Sequence, residues 1–236
     1  MVILLVVLAR YHLQPYKSTS KAKVNGYEFT RLLPPPKGSG FPPTTTERII
    51  FMNITVYLGS NEGKDPQLKT AVRELGSWIG KNHHTLIYGG SKRGLMGELA
   101  ESTLLAGGSV IGVEPQFFLD MGFDYDAITQ LIPTKDMSER KAKMIELGDA
   151  FIAFPGGTGT LEEISEIMSK VVLGHLDSPC IIYNLNGYYD DLKRLLEKMV
   201  EMGLAFERNL KGIYFARELQ EIVEIIKGSL FTGSGA

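Results

Sequence analysis

The sequence predicts an α/β domain in which a parallel sheet is covered by helices on both faces, the doubly wound arrangement. From Met52 to Ile226, short apolar runs alternate with segments of helical periodicity. The runs are continuous rather than apolar–polar alternations, which is typical of parallel strands buried on both faces. Polar or glycine-rich turns directly follow three of the runs. In such sheets ligands bind beside the carboxyl ends of the strands, so these turns are the first place to look for a site.

Six apolar runs are predicted to be the strands. Each has four to six residues and is bounded by polar, glycine or proline residues, which suits a buried strand. In chain order the predicted strands are 54–58, 85–88, 109–113, 151–154, 180–185 and 213–216.

The segments between the runs are predicted to be helices. In the first of them apolar residues recur three and four positions apart from Leu68 to Ile79, and Ser138 is placed to cap the helix before the fourth strand. The predicted helices are 65–81, one ending at 105, 138–147, one that starts in the turn at 156–160, 188–202 and 218–226. Residues 114–130 lack periodicity and carry several aromatic residues, so we interpret them as a lid or pocket wall.

The first fifty residues differ in composition from the rest. The apolar stretch 1–8 is far shorter than the roughly 20 residues that cross a bilayer, and Arg10 follows it rather than preceding it as in a secretory signal. Residues 14–46 include PPPKGSGFPPTTT and show little periodicity. We therefore expect 1–51 to be a disordered or non-native N-terminal extension, 52–228 to be a single domain and 229–236 to be a C-terminal tail.

Composition narrows the class of function. The chain has 236 residues, 44% of them hydrophobic, a net charge of −2 and no basic run with interleaved aromatic residues, which argues against a nucleic-acid surface. Its one cysteine, Cys180, lies in an apolar run and has no partner for an internal disulfide, which favours a reducing, cytoplasmic setting. We expect small-molecule chemistry, with neither a membrane nor a nucleic acid as partner.

The turn after the fourth strand has the features of an anion site. Pro155 ends the strand, and three glycines and two threonines follow before an acidic helix, at Gly156, Gly157, Thr158, Gly159 and Thr160. Free N–H groups and the positive end of the helix dipole favour a phosphate there, and either threonine is placed to cap the helix. The turn is neither the G-x-G-x-x-G fingerprint nor a Walker loop, so neither a nicotinamide cofactor nor ATP hydrolysis is indicated.

Two other turns are expected to meet this one at the carboxyl edge of the sheet. The first is Gly59-Ser60, after the first strand. The second is GGSKRGLMG at 89–97, which includes Gly89, Gly90, Gly94 and Met96. The three turns are predicted to converge on one ligand.

Charged residues near these turns are candidates for chemistry. Glu162 and Glu163 are predicted to lie in the first turn of the helix after the glycine turn, where the dipole stabilises ionised carboxylates. Adjacent helix positions point about 100° apart, so one of the two is expected to face the ligand, and an acidic helix start without a catalytic role is the alternative. Arg140, with Lys141 beside it, either clamps a phosphate or carboxylate or is a solvated surface charge.

A metal site is not indicated by the sequence. The histidines of the domain, His83, His84 and His175, have no cysteine or acidic partners at the spacing of metal ligands. The methionines are interpreted as core residues rather than as a cofactor motif.

The segment PGGTGTLEE, from Pro155 to Glu163, resembles the PGGxGTxxE signature of the Lonely Guy family, often labelled lysine decarboxylase-like. Arg140 stands fifteen residues before the proline, where that family has its motif arginine. The resemblance spans 53–227 and includes GGSKRGLMG, VIGVEP and HLDSPCIIYNLNGYYDDL. Two places depart from the family pattern: residues 169–174 replace a TWxQLG segment, and Glu114 stands where an apolar residue is frequent.

The resemblance implies a Rossmann-like phosphoribohydrolase that releases a free base, such as a cytokinin, from a nucleoside 5′-monophosphate, without a cofactor and as a homodimer. It makes Arg140 and Glu163 the catalytic pair. It also places the glycine turn on the 5′-phosphate. Together with the other turns at the same sheet edge and the charged neighbours of the pair, this gives predicted substrate or phosphate contacts at Gly59, Ser60, Gly89, Gly90, Gly94, Met96, Lys141, Gly156, Gly157, Thr158, Gly159, Thr160 and Glu162.

Two other functions fit parts of the sequence. A non-catalytic carrier of a nucleotide or of molybdenum cofactor would use the same glycine turn, although holding a phosphate requires no carboxylate. Lysine decarboxylation would need pyridoxal phosphate on a lysine, and Lys92 and Lys141 lie near the turns without any feature of a Schiff-base residue.

Overall fold

The structure, a computed structural model, describes residues 19–24, 27–32, 51–122 and 125–232. The chain divides into two units, Met1–Ile49 and Ile50–Ala236. In the first unit the described residues form an antiparallel pair, β1 (Thr19–Val24) and β2 (Tyr27–Leu32), with Val24 opposite Tyr27. This pair differs from the expectation of little regular structure in 14–46, and its sequence signal is Asn25-Gly26, a strong hairpin dipeptide between the two strands. The rest of the predicted extension lies outside the described residues and stays a prediction.

The second unit contains a seven-stranded sheet in which every neighbouring pair of strands is parallel. Its strands, in chain order, are β3 (Asn53–Tyr57), β4 (Thr85–Tyr88), β5 (Ser109–Pro115), β6 (Gln130–Thr134), β7 (Ala150–Ala153), β8 (Cys180–Tyr183) and β9 (Ile213–Ala216). Its helices are α1 (Pro66–Lys81), α2 (Gly94–Leu105), α3 (Gln116–Asp120), α4 (Met137–Leu147), α5 (Thr158–Val172), α6 (Asp190–Glu201) and α7 (Leu219–Thr232). The predicted doubly wound, Rossmann-like α/β fold is confirmed.

The spatial order of the strands is β6-β5-β4-β3-β7-β8-β9. The chain winds outward from β3 through β4 and β5 to β6, then returns to the other side of β3 to form β7. The winding direction therefore reverses between β3 and β7. A crevice forms outside the carboxyl ends of the strands at such a reversal, and this is where open α/β sheets bind ligands.

Helices cover both faces of the sheet because each strand is apolar on both sides. On one face α1, α2 and α7 bury Leu75, Leu99 and Ile222 against the sheet. On the other face α4 and α5 bury Met144 and Ile167. Both clusters contain fully buried aliphatic residues. Close packing on both faces therefore holds the carboxyl edge of the sheet rigidly in place.

In the second unit, one strand of the sheet and one short α-helix were not expected from the sequence. The structure places α3 and then β6 within and after 114–130, where the sequence predicts an irregular segment. β6 reads QLIPT, and a proline within a run argues against a central strand because it cannot donate to the ladder. β6 is the edge strand of the sheet, where a proline is tolerated.

Candidate active site

The glycine turn joins β7 to α5 without a side-chain cap. Gly157 is the N-cap residue and no side chain caps this end of the helix, so the expected capping role of Thr158 or Thr160 is wrong. Thr160 is buried instead, with its Oγ1 packed against Gly156. Because the first N–H groups of a helix have no intrahelical acceptor, an uncapped start leaves them available to an anion.

The three predicted turns meet at this edge. A Cβ on Gly59 would lie 3.6 Å from the Cα of Gly156, and one on Gly156 would lie 3.0 Å from the amide nitrogen of Gly59. Gly94 has a φ of +51°, and a side chain there would overlap the carbonyl of Ser60. The turn after β3 is thus in contact with the turns after both β4 and β7.

Arg140 and Glu163 form a buried ion pair beside the turns. Nη1 of Arg140 lies 2.7 Å from Oε1 of Glu163, and both side chains are more than 90% buried. Nε donates to the carbonyl of Val113 at 3.0 Å, and a Cβ on Gly89 would overlap Nη2. The guanidinium is therefore held at a fixed place by β5, the turn after β4, and α5.

Helical spacing explains how both charges come to lie inside. Arg140 precedes Met144 by four residues on α4, and both are buried. On α5 the buried residues Thr160, Glu163, Ile164 and Ile167 recur at three- and four-residue intervals, so the carboxylate lies on the apolar stripe of its helix.

The start of α4 is fixed by local hydrogen bonds. Asp136, not the predicted Ser138, is the N-cap residue, and its side chain accepts the N–H of Glu139 at 2.9 Å. The carboxylate of Glu139 accepts the N–H of Lys135, the residue before the N-cap, at 2.8 Å. Further along, the hydroxyl of Thr55 donates to the carbonyl of Met144 at 3.1 Å and ties α4 to β3. These contacts set the register of Arg140 relative to the sheet.

The charge state of Glu163 is set by burial and by Arg140. Burial raises the pKa of its carboxyl group, and the adjacent guanidinium opposes this rise. The predicted stabilisation by the helix dipole is not supported, because the first turn of α5 contains no acidic residue and the two glutamates lie in the second turn. Glu163 is thus a buried carboxylate beside a fixed cation, and such a group can act as a base that accepts a proton.

Glu162 points away from Glu163, as the 100° step between adjacent helix positions predicts. Its Oε1 lies 2.6 Å from Nζ of Lys141, which also lies 3.5 Å from Glu166. The Glu162 side chain is 62% exposed, and neither residue of this pair lines the cavity described next. Glu163 does not line it either, but it is hydrogen-bonded to Arg140, which does. We therefore leave Lys141 and Glu162 out of the proposed site.

A cavity of about 250 Å³ opens beside the ion pair. Its lining residues come from the turns after β3 and β4, the start of α2, the end of β5, α3 and α4, and they are Ser60, Gly89, Ser91, Arg93, Met96, Glu114, Phe118 and Arg140. Ser60, Gly89, Met96 and Arg140 were predicted. Glu114 and Phe118 confirm part of 114–130 as a pocket wall, and Ser91 and Arg93 belong to the glycine-rich segment without having been singled out.

The remaining predicted glycines and threonines do not line the cavity. Gly59, Gly94 and Gly156 are joined to it through the contacts between turns, and Gly90 packs against Glu114. Gly157, Thr158 and Gly159 lie at the solvent-accessible start of α5. The phosphate end of the predicted site is thus open to solvent, whereas the carboxylate end is enclosed.

Tyrosines after β8 hold the end of β7 in place, and the sequence analysis did not identify them. The hydroxyl of Tyr188 donates to the carbonyl of Gly156 at 2.5 Å, and that of Tyr189 donates to the carbonyl of Phe154 at 2.9 Å. The side chain of Asn184 accepts the N–H of Tyr189 at 2.6 Å. The only sequence signal was the pair of adjacent tyrosines in the loop beside the switch point.

The described residues contain neither a metal cluster nor a membrane-spanning helix. No group of three histidine, cysteine or acidic side chains among them is arranged to hold a metal ion. Within the same part of the chain, every helix is too short or too polar to cross a membrane.

Sequence comparison identifies relatives over most of the chain. Residues 96–226 match the family model described as "possible lysine decarboxylase". A cytokinin riboside 5′-monophosphate phosphoribohydrolase from Rhodococcoides fascians is 34% identical over 74% of this chain and 89% of its own length. The enzyme of that name called LOG1 in Arabidopsis thaliana is 36% identical over 74% of this chain and 82% of its own.

Solved structures of similar fold include carriers of molybdenum cofactor. The molybdenum cofactor binding protein of Rippkaea orientalis superimposes with a TM-score of 0.58 at 22% identity, covering 77% of this chain and 98% of its own. The molybdenum cofactor carrier protein of Chlamydomonas reinhardtii gives 0.59 at 18% identity, covering 78% and 99%. At these identities the likeness concerns the fold alone.

Proposed function

Because this chain belongs to the Lonely Guy family, whose model carries the description possible lysine decarboxylase, we propose that it hydrolyses the N-glycosidic bond of a nucleoside 5′-monophosphate. The products are a free base and ribose 5-phosphate, and the substrate is a cytokinin riboside monophosphate or AMP. The observation that carries the proposal is the buried Arg140–Glu163 pair, which adjoins both a cavity and an uncapped helix start.

The phosphate binds at the start of α5. Its N–H groups and the positive end of the helix dipole stabilise the dianion. A Cβ added to Gly157 or Gly159 would meet no atom within 4 Å, so the backbone there is open to an approaching group. Fixing the phosphate holds the ribose against the adjoining ion pair. Orientation of this kind supplies a large part of the rate enhancement of an enzyme.

Glu163 acts at the ribose. Breaking the bond between C1′ and the base develops positive charge on the sugar ring, which a nearby carboxylate stabilises. The same carboxylate orients the attacking water and accepts its proton, a role that suits a group whose pKa burial has raised. The proposed mechanism therefore requires that Glu163 is ionised at the start of the reaction.

Arg140 has two functions in this proposal. It opposes the rise that burial causes in the pKa of Glu163, and its guanidinium lies in the cavity wall, where it stabilises negative charge on the substrate. Its fixed contacts with Val113 and Gly89 mean that no reorganisation is required during the reaction.

Pyridoxal phosphate, which the family description implies through lysine decarboxylation, does not fit this site. The cofactor requires a lysine for its Schiff base, and none of the described residues that line the cavity is a lysine. Lys141 is engaged with Glu162 and Glu166, and Lys92 is exposed. We therefore derive no step through this cofactor.

The test is incubation of the full chain with AMP and with isopentenyladenosine monophosphate, followed by chromatography of the free base. We expect base release by the wild type and by the control Glu101→Gln, which changes an exposed glutamate on α2. Binding of either nucleotide without release would contradict hydrolysis and favour the carrier alternative. The ratio of the two rates identifies the preferred base.

We propose further that the protein is a cytoplasmic homodimer. The family resemblance supports the dimer, and the single buried Cys180 supports a reducing compartment. Sedimentation of the full chain and fractionation of cells test the two statements. A monomer at micromolar concentration would contradict the first, and recovery outside the cytoplasm would contradict the second.

A further inference from the structure

Glu114 is a buried acid that the mechanism above does not use. It is the penultimate residue of β5, its exposed fraction is 5%, and it forms part of the cavity wall together with Arg140 and Phe118. Its Oε2 is fully enclosed and has no hydrogen-bond partner among the described residues. A Cβ added to Gly90 would lie 2.6 Å from this oxygen, so the turn after β4 packs directly against the carboxyl group.

A second unpartnered polar group, the hydroxyl of Tyr88, lies near Glu114. Tyr88, the last residue of β4, pairs with Gly112 of β5, so its side chain lies on the same face of the sheet as that of Glu114. The hydroxyl of Tyr88 is also buried without a partner among the described residues. Leaving buried polar groups unpaired is costly, so two of them close to one cavity indicate a site that is completed by a polar ligand.

The carboxyl group of Glu114 is suited to donating a proton near neutral pH. Burial raises its pKa to about 7, and Arg140 limits the rise. Arg140 makes its direct contact with Glu163, so Glu114 has a nearby cation but no ion-pair partner among the described residues. At pH 7 a large fraction of the molecules therefore carry a protonated Glu114.

The position of Glu114 matches the base end of a bound nucleotide. The phosphate end is at the start of α5, which follows β7, and Glu114 is on β5, three strands away in the order β5-β4-β3-β7. At a spacing of about 4.8 Å between strands, the two ends are about 14 Å apart along the sheet edge. Arg140 lines the cavity and is hydrogen-bonded to Glu163 of α5, so we place the ribose beside this pair, and the ring of Phe118 in the cavity wall offers an apolar surface to the base.

We propose that Glu114 is the general acid of the reaction and donates its proton to a ring nitrogen of the leaving base. This inference rests on the proposed hydrolase function. The bond between C1′ and the base nitrogen breaks and its electron pair goes to the base, which takes the proton of Glu114. Water forms the new bond to C1′ and gives a proton to Glu163. Glu114 ends ionised, Glu163 ends protonated, and one proton passes through solvent to restore both.

The experiment measures kcat and KM for base release from AMP between pH 5 and 9. The variants are Glu114→Gln, which keeps the shape but cannot donate a proton as an acid, and Glu114→Met, which fills the site without polar atoms. Glu101→Gln is the matched control. The charged and titratable groups that lie near Glu114 or share its cavity are Arg140, Arg93 and Tyr88, and Tyr125 lies near Tyr88 in turn; all are kept in these variants.

In the wild type kcat is expected to fall as pH rises through about 7, because Glu114 then loses its proton. Both Glu114 variants are expected to lose about 100-fold or more in kcat, with a smaller change in KM, and to show no such fall. A kcat within about threefold of the wild type, or persistence of the fall near pH 7 in a folded Glu114 variant, would overturn the inference. If the wild type releases no base from AMP or isopentenyladenosine monophosphate at any pH, the proposed function itself fails.

Discussion

Two ion pairs join the same two helices one residue apart, and their environments are opposite. Arg140–Glu163 and Lys141–Glu162 both link α4 to α5, with nitrogen–oxygen distances of 2.7 Å and 2.6 Å. The first pair is more than 90% buried, whereas the Glu162 carboxylate of the second is 62% exposed. Distance alone therefore does not distinguish them. The pairs differ in the free energy of desolvating their charges, which is large only for the buried pair.

The comparison shows how one helical step separates a reactive group from a solvated one. Because α5 turns by about 100° per residue, Glu163 lies on the buried stripe and Glu162 lies outside it. Burial raises the pKa of Glu163, and in the exposed pair the hydrogen bond to Glu162 raises the pKa of Lys141. In our account the buried pair takes part in the reaction, whereas the exposed pair contributes little to either catalysis or stability.

Arg140→Met should produce the largest loss of stability. Removing the cation leaves Glu163 buried and unpaired, a change that costs about 3–5 kcal/mol in comparable cases. The pKa of Glu163 would rise further, so the folded state would bind this proton more tightly than the unfolded state, and stability would fall as pH increases above 4.5. Urea unfolding at pH 5 and pH 8 measures this, and a loss that is equal at both pH values would contradict the assignment.

Gly89→Ala should damage the buried pair without removing either charge. The new methyl group would overlap Nη2 of Arg140 and displace the guanidinium. We expect base release to fall by about 10- to 100-fold, because small displacements of a positioned group are costly in catalysis. Gly228→Ala on α7, where an added methyl group would meet no atom within 4 Å, is the matched control. Equal activity in both variants would show that the position of Arg140 is not critical.

The exposed pair should give the smallest effect. A double-mutant cycle with Lys141→Met and Glu162→Gln is expected to yield a coupling free energy of about 0–1 kcal/mol, reduced further by salt. Thermal or urea unfolding of the four proteins measures it. A coupling comparable to that of the buried pair would remove the distinction drawn between them.

Much of the fold was predictable because its signals are local. Continuous apolar runs indicated buried parallel strands, and β4 and β9 have the bounds that were predicted. β6 was missed because Pro133 argues against a central strand, and only the tertiary position at the sheet edge makes it acceptable. Helix starts were less predictable, since Asp136 and Ser138 are both good caps and the choice depends on where the chain enters the helix.

The candidate site was predictable in part, for a similar reason. The sequence placed Arg140 and Glu163 near glycine turns, but their burial and mutual contact depend on how α4 and α5 pack. Glu114 was noted as the start of a predicted pocket wall and as a departure from the family pattern, but not as a reactive group. Its lack of a partner among the described residues and its nearness to Tyr88 appear only once β4 and β5 lie side by side.

The most direct test of the account is base release from AMP by the wild type, Glu163→Gln and Glu162→Gln under identical conditions. The two variants make the same chemical change at adjacent positions, in the buried and the exposed pair. The account predicts that Glu163→Gln stays folded and loses nearly all activity, by a factor of about 100 or more, whereas Glu162→Gln stays within about threefold of the wild type. Wild-type turnover by Glu163→Gln, or an equal loss in both variants, would contradict it.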